Sequence, residues 1–197
     1  MSAPESRPAA VRALPVDFVV DVVNQWGSGP RQAAGEQDQE YPGLVALAAA
    51  HQAGDGPAAM RLTEQDLTRV ADALYPVFTA PTDDAVVAAV NDLLARSAPA
   101  PRLGRDGGPL FEEWAAPASQ QFLMACVLTL FGLLIQWGDG RRLGVCAGMR
   151  CADAYVDLSS ARHKRYCSLT CQNRNRVAAF RATRRRPARQ DGQQHGA

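Results

Sequence analysis

Apolar residues recur at helical spacing through most of residues 14–140, separated by polar, glycine- and proline-containing breaks, so this stretch is expected to be a helical body. Leu14 to Trp26 is an apolar-rich opening segment interrupted by Gly27-Ser28-Gly29-Pro30, and residues 31–42 read as a polar loop ending in Tyr41-Pro42. An alanine-rich helix runs from Leu44 to near Gln52. Thr63-Glu64-Gln65-Asp66 resembles a capping box, with Asp in place of the usual Glu, ahead of Leu67, Val70, Leu74 and Phe78. Thr82-Asp83-Asp84 opens a further helix that reaches Arg96. Residues 97–109 are dense in proline, glycine and charge and are expected to be a loop, after which Ala118 to Trp137 forms a long helix.

That last helix is apolar almost all round, from Phe122, Leu123 and Met124 to Leu133, Leu134 and Ile135. Its uninterrupted part is shorter than the ~20 residues a bilayer needs, and Thr129, Gly132 and Gln136 break it, so it is expected to be a central core helix and not a membrane span. A body of this length can bury a core of its own. Residues 1–13 and 187–197 are polar and are expected to be disordered tails.

Charge divides the chain into regions with different work. Residues 141–189 carry a formal +11 and residues 1–140 a formal −9, which the net +1 conceals. A basic end beside an acidic body would meet a polyanion with that end alone.

Four cysteines lie inside the basic end, Cys146, Cys151, Cys167 and Cys171, in the pattern C-x4-C-x15-C-x3-C. Two close pairs joined by a loop of this length supply the four soft ligands of a closed, structural zinc (Zn2+) site. Gly148 is expected to let the first pair fold back into a knuckle, and the i, i+4 spacing of the second places both sulfurs on the first turn of a helix that Ser168 caps. A knuckle, a short β segment and such a helix make a treble-clef-like finger. Tyr155, Val156, Leu158 and Tyr166 are its candidate apolar core, too small to hold without metal. Disulfide partners or ordinary core thiols are the alternative, but no secretion signal is expected from the sequence and the spacing suits a metal better. Cys126, inside the apolar helix, reads as a buried small hydrophobe.

The run from Cys146 through Cys151, Tyr155-x-Asp157-x-Ser159, Lys164-Arg165-Tyr166-Cys167 and Cys171-Gln172-Asn173-Arg174 resembles the CGNR zinc finger. Members of that family usually carry an N-terminal helical domain, ABATE, and are assigned to stress-induced transcription regulation in bacteria. The elements near Asp17, Phe18 and Asn24 are similar to that first domain. The resemblance implies residues 14–140 as an ABATE-like helical domain and 141–186 as the finger. Two positions depart from the pattern: Gln172 stands where the family has Gly, and Tyr166 where it commonly has Trp. If the Gly lets a phosphate approach the backbone, Gln172 weakens that contact here; if it merely sits in the first helical turn, Gln is the better helix former.

Beyond the fourth cysteine, Arg174, Arg181 and Arg185 recur at i, i+7 and i+11 and form one helical stripe, while Val177 and Phe180 occupy a neighbouring face expected to pack on the finger or body. Arg162, Lys164 and Arg165, in the loop before Cys167, extend the positive surface, and Asn173 joins it on the helix. These seven residues are the candidate nucleic-acid contacts, arginine being suited to phosphate and to the guanine edge.

No phosphate-binding glycine loop, H-E-x-x-H or G-x-S-x-G motif is present, and no nucleophile–base pair stands out, so a non-enzymatic role is expected. His51 falls at a helix–loop junction, His163 in the basic loop as a spare ligand or solvent-facing residue, and His195 in the tail. The preferred reading is a mainly α DNA-binding regulator of double-stranded DNA whose body senses a small-molecule effector or forms a homodimer. An RNA-binding or ribosome-associated zinc protein, and an adaptor with a structural zinc, are the alternatives. Twenty arginines to one lysine suggest a GC-rich bacterial coding sequence, and free thiols suggest a cytoplasmic, nucleoid-associated location.

Overall fold

The computed structural model describes residues 9–185 apart from 55 and 106. The segments expected as tails at 1–8 and 187–197, and His195 with them, lie outside the described residues. The described residues are mainly helical with two small antiparallel sheets. Its helices are α1 (Val16–Trp26), α2 (Ser28–Ala34), α3 (Leu44–Ala50), the single turn α4 (Gly56–Ala59), α5 (Glu64–Thr79), α6 (Asp83–Ser97), α7 (Gln121–Trp137) and α8 (Leu169–Arg185).

Local side-chain capping sets the starts of α5 and α6. The Thr63 hydroxyl accepts from the Asp66 N–H while Asp66 accepts from the Thr63 backbone, a complete capping box in which Asp reaches as Glu would. Thr82 caps α6 through the Ala85 N–H. The segment expected to break at Gly27–Pro30 instead starts α2. Proline fits a helix's first turn, where its missing N–H has no intrahelical partner, and the Asp72 carboxylate accepts from both the Ser28 N–H and hydroxyl at that end.

The expected loop at 97–109 is also corrected. Strands β2 (Ala100–Arg105) and β3 (Leu110–Ala116) form a hairpin around it, and β1 (Ala9–Val11) adds to β3, giving the order β1-β3-β2. Part of the expected N-terminal tail is therefore a strand, with Val11 buried against Ala116, Met124 and Ala125. Pro101 is tolerated because β2 lies at a sheet edge.

The core gathers one face each of α1 (Phe18, Val19, Val22, Val23, Trp26), α5 (Leu67, Ala71, Leu74, Val77, Phe78) and α6 around the first half of α7. With the short 3-10 turn before it, α7 is a described helix long and apolar enough to span a bilayer, but 44% of its apolar window is buried inside the protein. Phe122 to Val127 and Leu130 fill the core, whereas the end near Ile135 is at the surface, so α7 is central over its first half only.

The core does not stop at residue 140. Strands β4 (Leu143–Val145) and β5 (Ala154–Val156) pair antiparallel, and Leu143, Ala154 and Val156 join the same cluster as Phe18 and Leu74. Asn24 on α1 fastens the edge of β5 twice, its amide donating to the Ala154 carbonyl at 3.1 Å and accepting from the Ala154 N–H at 2.7 Å. Tyr75 on α5 donates to the Ala152 carbonyl. Gly140 is buried against Val86, where a Cβ would come within 2.9 Å of that side chain, and its N–H donates to Asp83. The apolar core expected to belong to the finger is shared: Val156 is buried in the body, and Leu158 is exposed.

Candidate metal centre and nucleic-acid interface

The loop between β4 and β5 carries Cys146 and Cys151, while Cys167 precedes α8 and Cys171 sits in its first turn. All four sulfurs lie within 4.8 Å of one another. Cys151 to Cys167 is 3.7 Å and Cys167 to Cys171 3.5 Å, near the roughly 3.8 Å that a tetrahedron with ~2.3 Å Zn–S bonds requires. The donor set fits a soft divalent cation, and no disulfide joins the five thiols. A metal bound there would supply no chemistry of its own with four protein ligands filling it; it would fix the strand pair to the helix.

Local structure converges on this point. The Cys146 N–H donates to the Asp153 carbonyl, closing the knuckle, and the Ala147 N–H donates to the Arg165 carbonyl, tying it to the basic loop. The left-handed residue of the turn is Arg150 (φ 56°) and not Gly148. Gly148 is needed for space: a Cβ there would lie 3.3 Å from the Cys146 sulfur and 3.5 Å from the Cys171 Cβ, amid the ligands. Ser168 caps α8 by accepting from the Cys171 N–H, as the spacing predicts.

Burial pushes the Cys151 thiol up to about 12. Burial, then its hydrogen bond to the Asp153 carboxylate at 3.2 Å, raise Cys167 as well. At Cys146 burial opposes ionisation, but hydrogen bonds from the Cys167 and Gly148 backbone outweigh it and the thiol lies below its usual value. Cys126 is buried apart from the cluster and raised by that burial. His163 is exposed and outside the cluster, and His51 closes α3 with its ring 2.8 Å from the Asp21 carboxylate.

Asp157 explains the aromatic-x-Asp-x-Ser element. Its carboxylate accepts from the Ser159 N–H and hydroxyl and from the Lys164 N–H, pinning both ends of the 158–164 loop. Those Ser159 bonds lower its pKa against the opposing effect of burial. Arg142 braces the same turn by donating to the Asp157 and Ser159 carbonyls and stacking over Trp137.

The seven candidate contacts separate on inspection. Arg162 is paired with Asp139 at 2.8 Å, and the Lys164 ammonium donates to the Val156 carbonyl and lies over the Tyr155 ring, so both cations serve the finger's own structure. Arg165, Asn173, Arg174 and Arg181 are exposed with no carboxylate partner among the described residues. Arg185 is the last described residue of α8, and its side chain lies outside the described set. Sequence reasoning passed over Arg176 and Arg184, equally exposed on α8, and Arg150 in the knuckle. Counting the whole helix would have found the first two, since α8 carries five arginines and no acid.

Gln172 sits exposed in the first turn of α8 with an ordinary helical hydrogen bond to Ser168. Tyr166 is held by the Asn175 amide donating to its hydroxyl. Val177 and Phe180 do not pack on the body: they are 48% and 60% exposed, and Leu169 is 77% exposed. Arg174 lines a cleft of about 580 Å³ between finger and body, whose body wall includes Asp21, Glu36, Glu40 and the buried Arg31.

The family model of the CGNR zinc finger matches residues 142–185. That of ABATE, described as "Putative stress-induced transcription regulator", matches residues 12–161, well over half of the chain. A search of curated proteins found no match. The two matched ranges overlap across β4, β5 and the Asp157 turn, the part of the finger that shares the body's core. The chain therefore belongs to the ABATE family and carries a CGNR zinc finger.

Proposed function

We propose that this protein is a DNA-binding transcription regulator in which a treble-clef-like, zinc-holding finger presents α8 to duplex DNA. The observation that carries the reading is α8 itself: an acid-free helix with five arginines, anchored at one end by two cysteine ligands and attached to a body of opposite formal charge. Both matched families support a regulatory zinc protein. We read the body as a bundle-like regulatory part and the whole as a binding protein rather than an enzyme, working in the bacterial cytoplasm.

The finger–body cleft is the place where the structure could receive an effector. Arg31 lines that cleft, is 5% exposed, stacks on Tyr41 and, among the described residues, donates to the carbonyls of Gln25, Glu36 and Gln39. A ligand there would touch both parts and bias α8 by its differential affinity for their arrangements. A homodimer would bring two α8 helices to one duplex, and exposed Leu103, Leu110 and Phe111 on the β2–β3 hairpin offer apolar surface for one.

The test is fluorescence anisotropy of the full zinc-loaded chain with a labelled DNA duplex and the matching RNA duplex across a salt series. Affinity for DNA should fall steeply and linearly on a log–log plot, with several counterions released. Absence of binding at low salt would overturn the proposal, and preference for RNA would replace it by the RNA reading.

A further inference from the structure

Building on the reading of α8 as the DNA-contacting helix, we propose that the bases are read by the face bearing Leu169, Asn173, Val177, Phe180 and Arg184. On this account the row of Arg174, Arg181 and Arg185 is not the reading face, and the preferred target is an A·T-containing major groove.

Helical geometry separates the two faces. At about 100° per residue, the 4-4-3-4 spacing of the five residues places them within an arc of roughly 80°, while Arg174, Arg181 and Arg185 form a narrower row about a quarter turn away. The surroundings of each face differ. Arg174, with Thr170, looks into the cleft whose opposite wall carries Asp21, Glu36 and Glu40 beside Arg31, whose guanidinium is engaged by backbone carbonyls, a side less favourable to phosphate than the open face. Leu169 and Gln172 instead border a second cleft of about 500 Å³ together with His163, Lys164 and Arg165. Arg165 of the basic loop thus reinforces the Leu169 side, while Asp21, Glu36 and Glu40 of the body face the other.

The chemistry of the open face suits base edges. Asn173 stands in its middle, and an Asn amide matches the N6/N7 edge of adenine through two hydrogen bonds. Leu169, Val177 and Phe180 are exposed apolar groups able to meet thymine methyls. Arg184 lies 5.0 Å over the Phe180 ring, which orients its guanidinium on the same face. Arg176 on one margin and Arg181 on the other would meet the two phosphate walls of a groove.

Charge complementarity selects the occupant. Two copies pairing through this face would set Arg184 and the marginal Arg176 and Arg181 of each against those of the other, with no acid on either helix. A lipid surface needs a broad apolar strip to bury, and here Asn173 and Arg184 fall inside the strip.

The experiment is selection from a randomised DNA duplex pool by the full chain and by Asn173→Ala, V177S/F180S and Arg181→Ala, each checked for zinc content and helicity. Wild type should enrich a motif containing A·T pairs. Asn173→Ala should lose about tenfold or more of the discrimination at one A·T position, and V177S/F180S should flatten neighbouring thymines, while both retain binding to unrelated duplex. Arg181→Ala should weaken selected and unrelated sequences alike. An unchanged motif in Asn173→Ala and V177S/F180S overturns the assignment of the face while leaving DNA binding intact. So does binding to phosphatidylglycerol vesicles that V177S/F180S abolishes without touching the motif. Failure of wild type to bind any duplex at low salt overturns the DNA reading itself, a separate result.

Discussion

Replacing Asn24 with Ala tests whether finger and body fold as one unit. Asn24 is a half-buried helical residue whose amide satisfies both the N–H and the C=O of Ala154, a buried residue at the start of β5. Each bond contributes about 1 kcal/mol net, and leaving the buried N–H without a partner adds a further penalty of ~1 kcal/mol. Alanine is the better helix former by about 0.5 kcal/mol, which offsets part of the loss. A net destabilisation of about 2.5 kcal/mol remains, and with a urea dependence near 2 kcal/mol per molar the unfolding midpoint should drop by about 1.2 M. The assay is urea unfolding of the zinc-loaded full chain, followed in parallel by helical circular dichroism and by fluorescence of its tryptophans. Both probes should shift together, since Trp26 shares the cluster that Ala154 and Val156 enter. A midpoint change worth under ~0.5 kcal/mol would refute the claim that this residue joins the two parts. A shift confined to one probe would refute the claim that they unfold together.

Elemental analysis should find one zinc per chain, lost in Cys167→Ser; because β4 and β5 sit in the body's core, chelation should lower the thermal midpoint of the entire chain and not release a finger from an unchanged body. Since burial holds the metal-free Cys151 and Cys167 thiols above their usual values, zinc must displace protons, and its apparent affinity should rise with pH in competition titrations. The Asp157 carboxyl is lowered in the folded chain, so its stabilisation is present above the unfolded value of about 4 and is lost as pH falls through the folded value; Asp157→Asn should flatten acid unfolding below about pH 5. The triple change of Arg174, Arg181 and Arg185 to Ala should weaken duplex binding, chiefly through Arg181, and reduce the salt slope by about one to two without loss of zinc, since Arg174 faces the cleft. A thermal-shift screen on the full chain should return stabilising ligands that Arg31→Met abolishes; hits indifferent to Arg31 would move the effector site out of the cleft.

The features legible in the chain alone were those whose physics is local. Cysteine spacing marks a four-ligand site because two short loops need little else to converge, and the Thr63 and Thr82 caps depend on residues three positions away. The acid-free arginine helix and the apolar run from Phe122 are likewise properties of adjacent residues. Pairing at a distance was not legible. Strand β2 looks like part of a loop until β3 pairs with it, and β1 becomes a strand only because β3 offers it an edge more than a hundred residues later. Pro30 reads as a breaker until Asp72 arrives to hold the helix start. The same holds for the surface: composition counts thirteen cations from 141 to 189, but only the tertiary structure turns Lys164 inward, pairs Arg162 with Asp139 and sets Arg174 opposite an acidic wall. Charge is written in the sequence, whereas the direction in which it points is decided by what packs beside it.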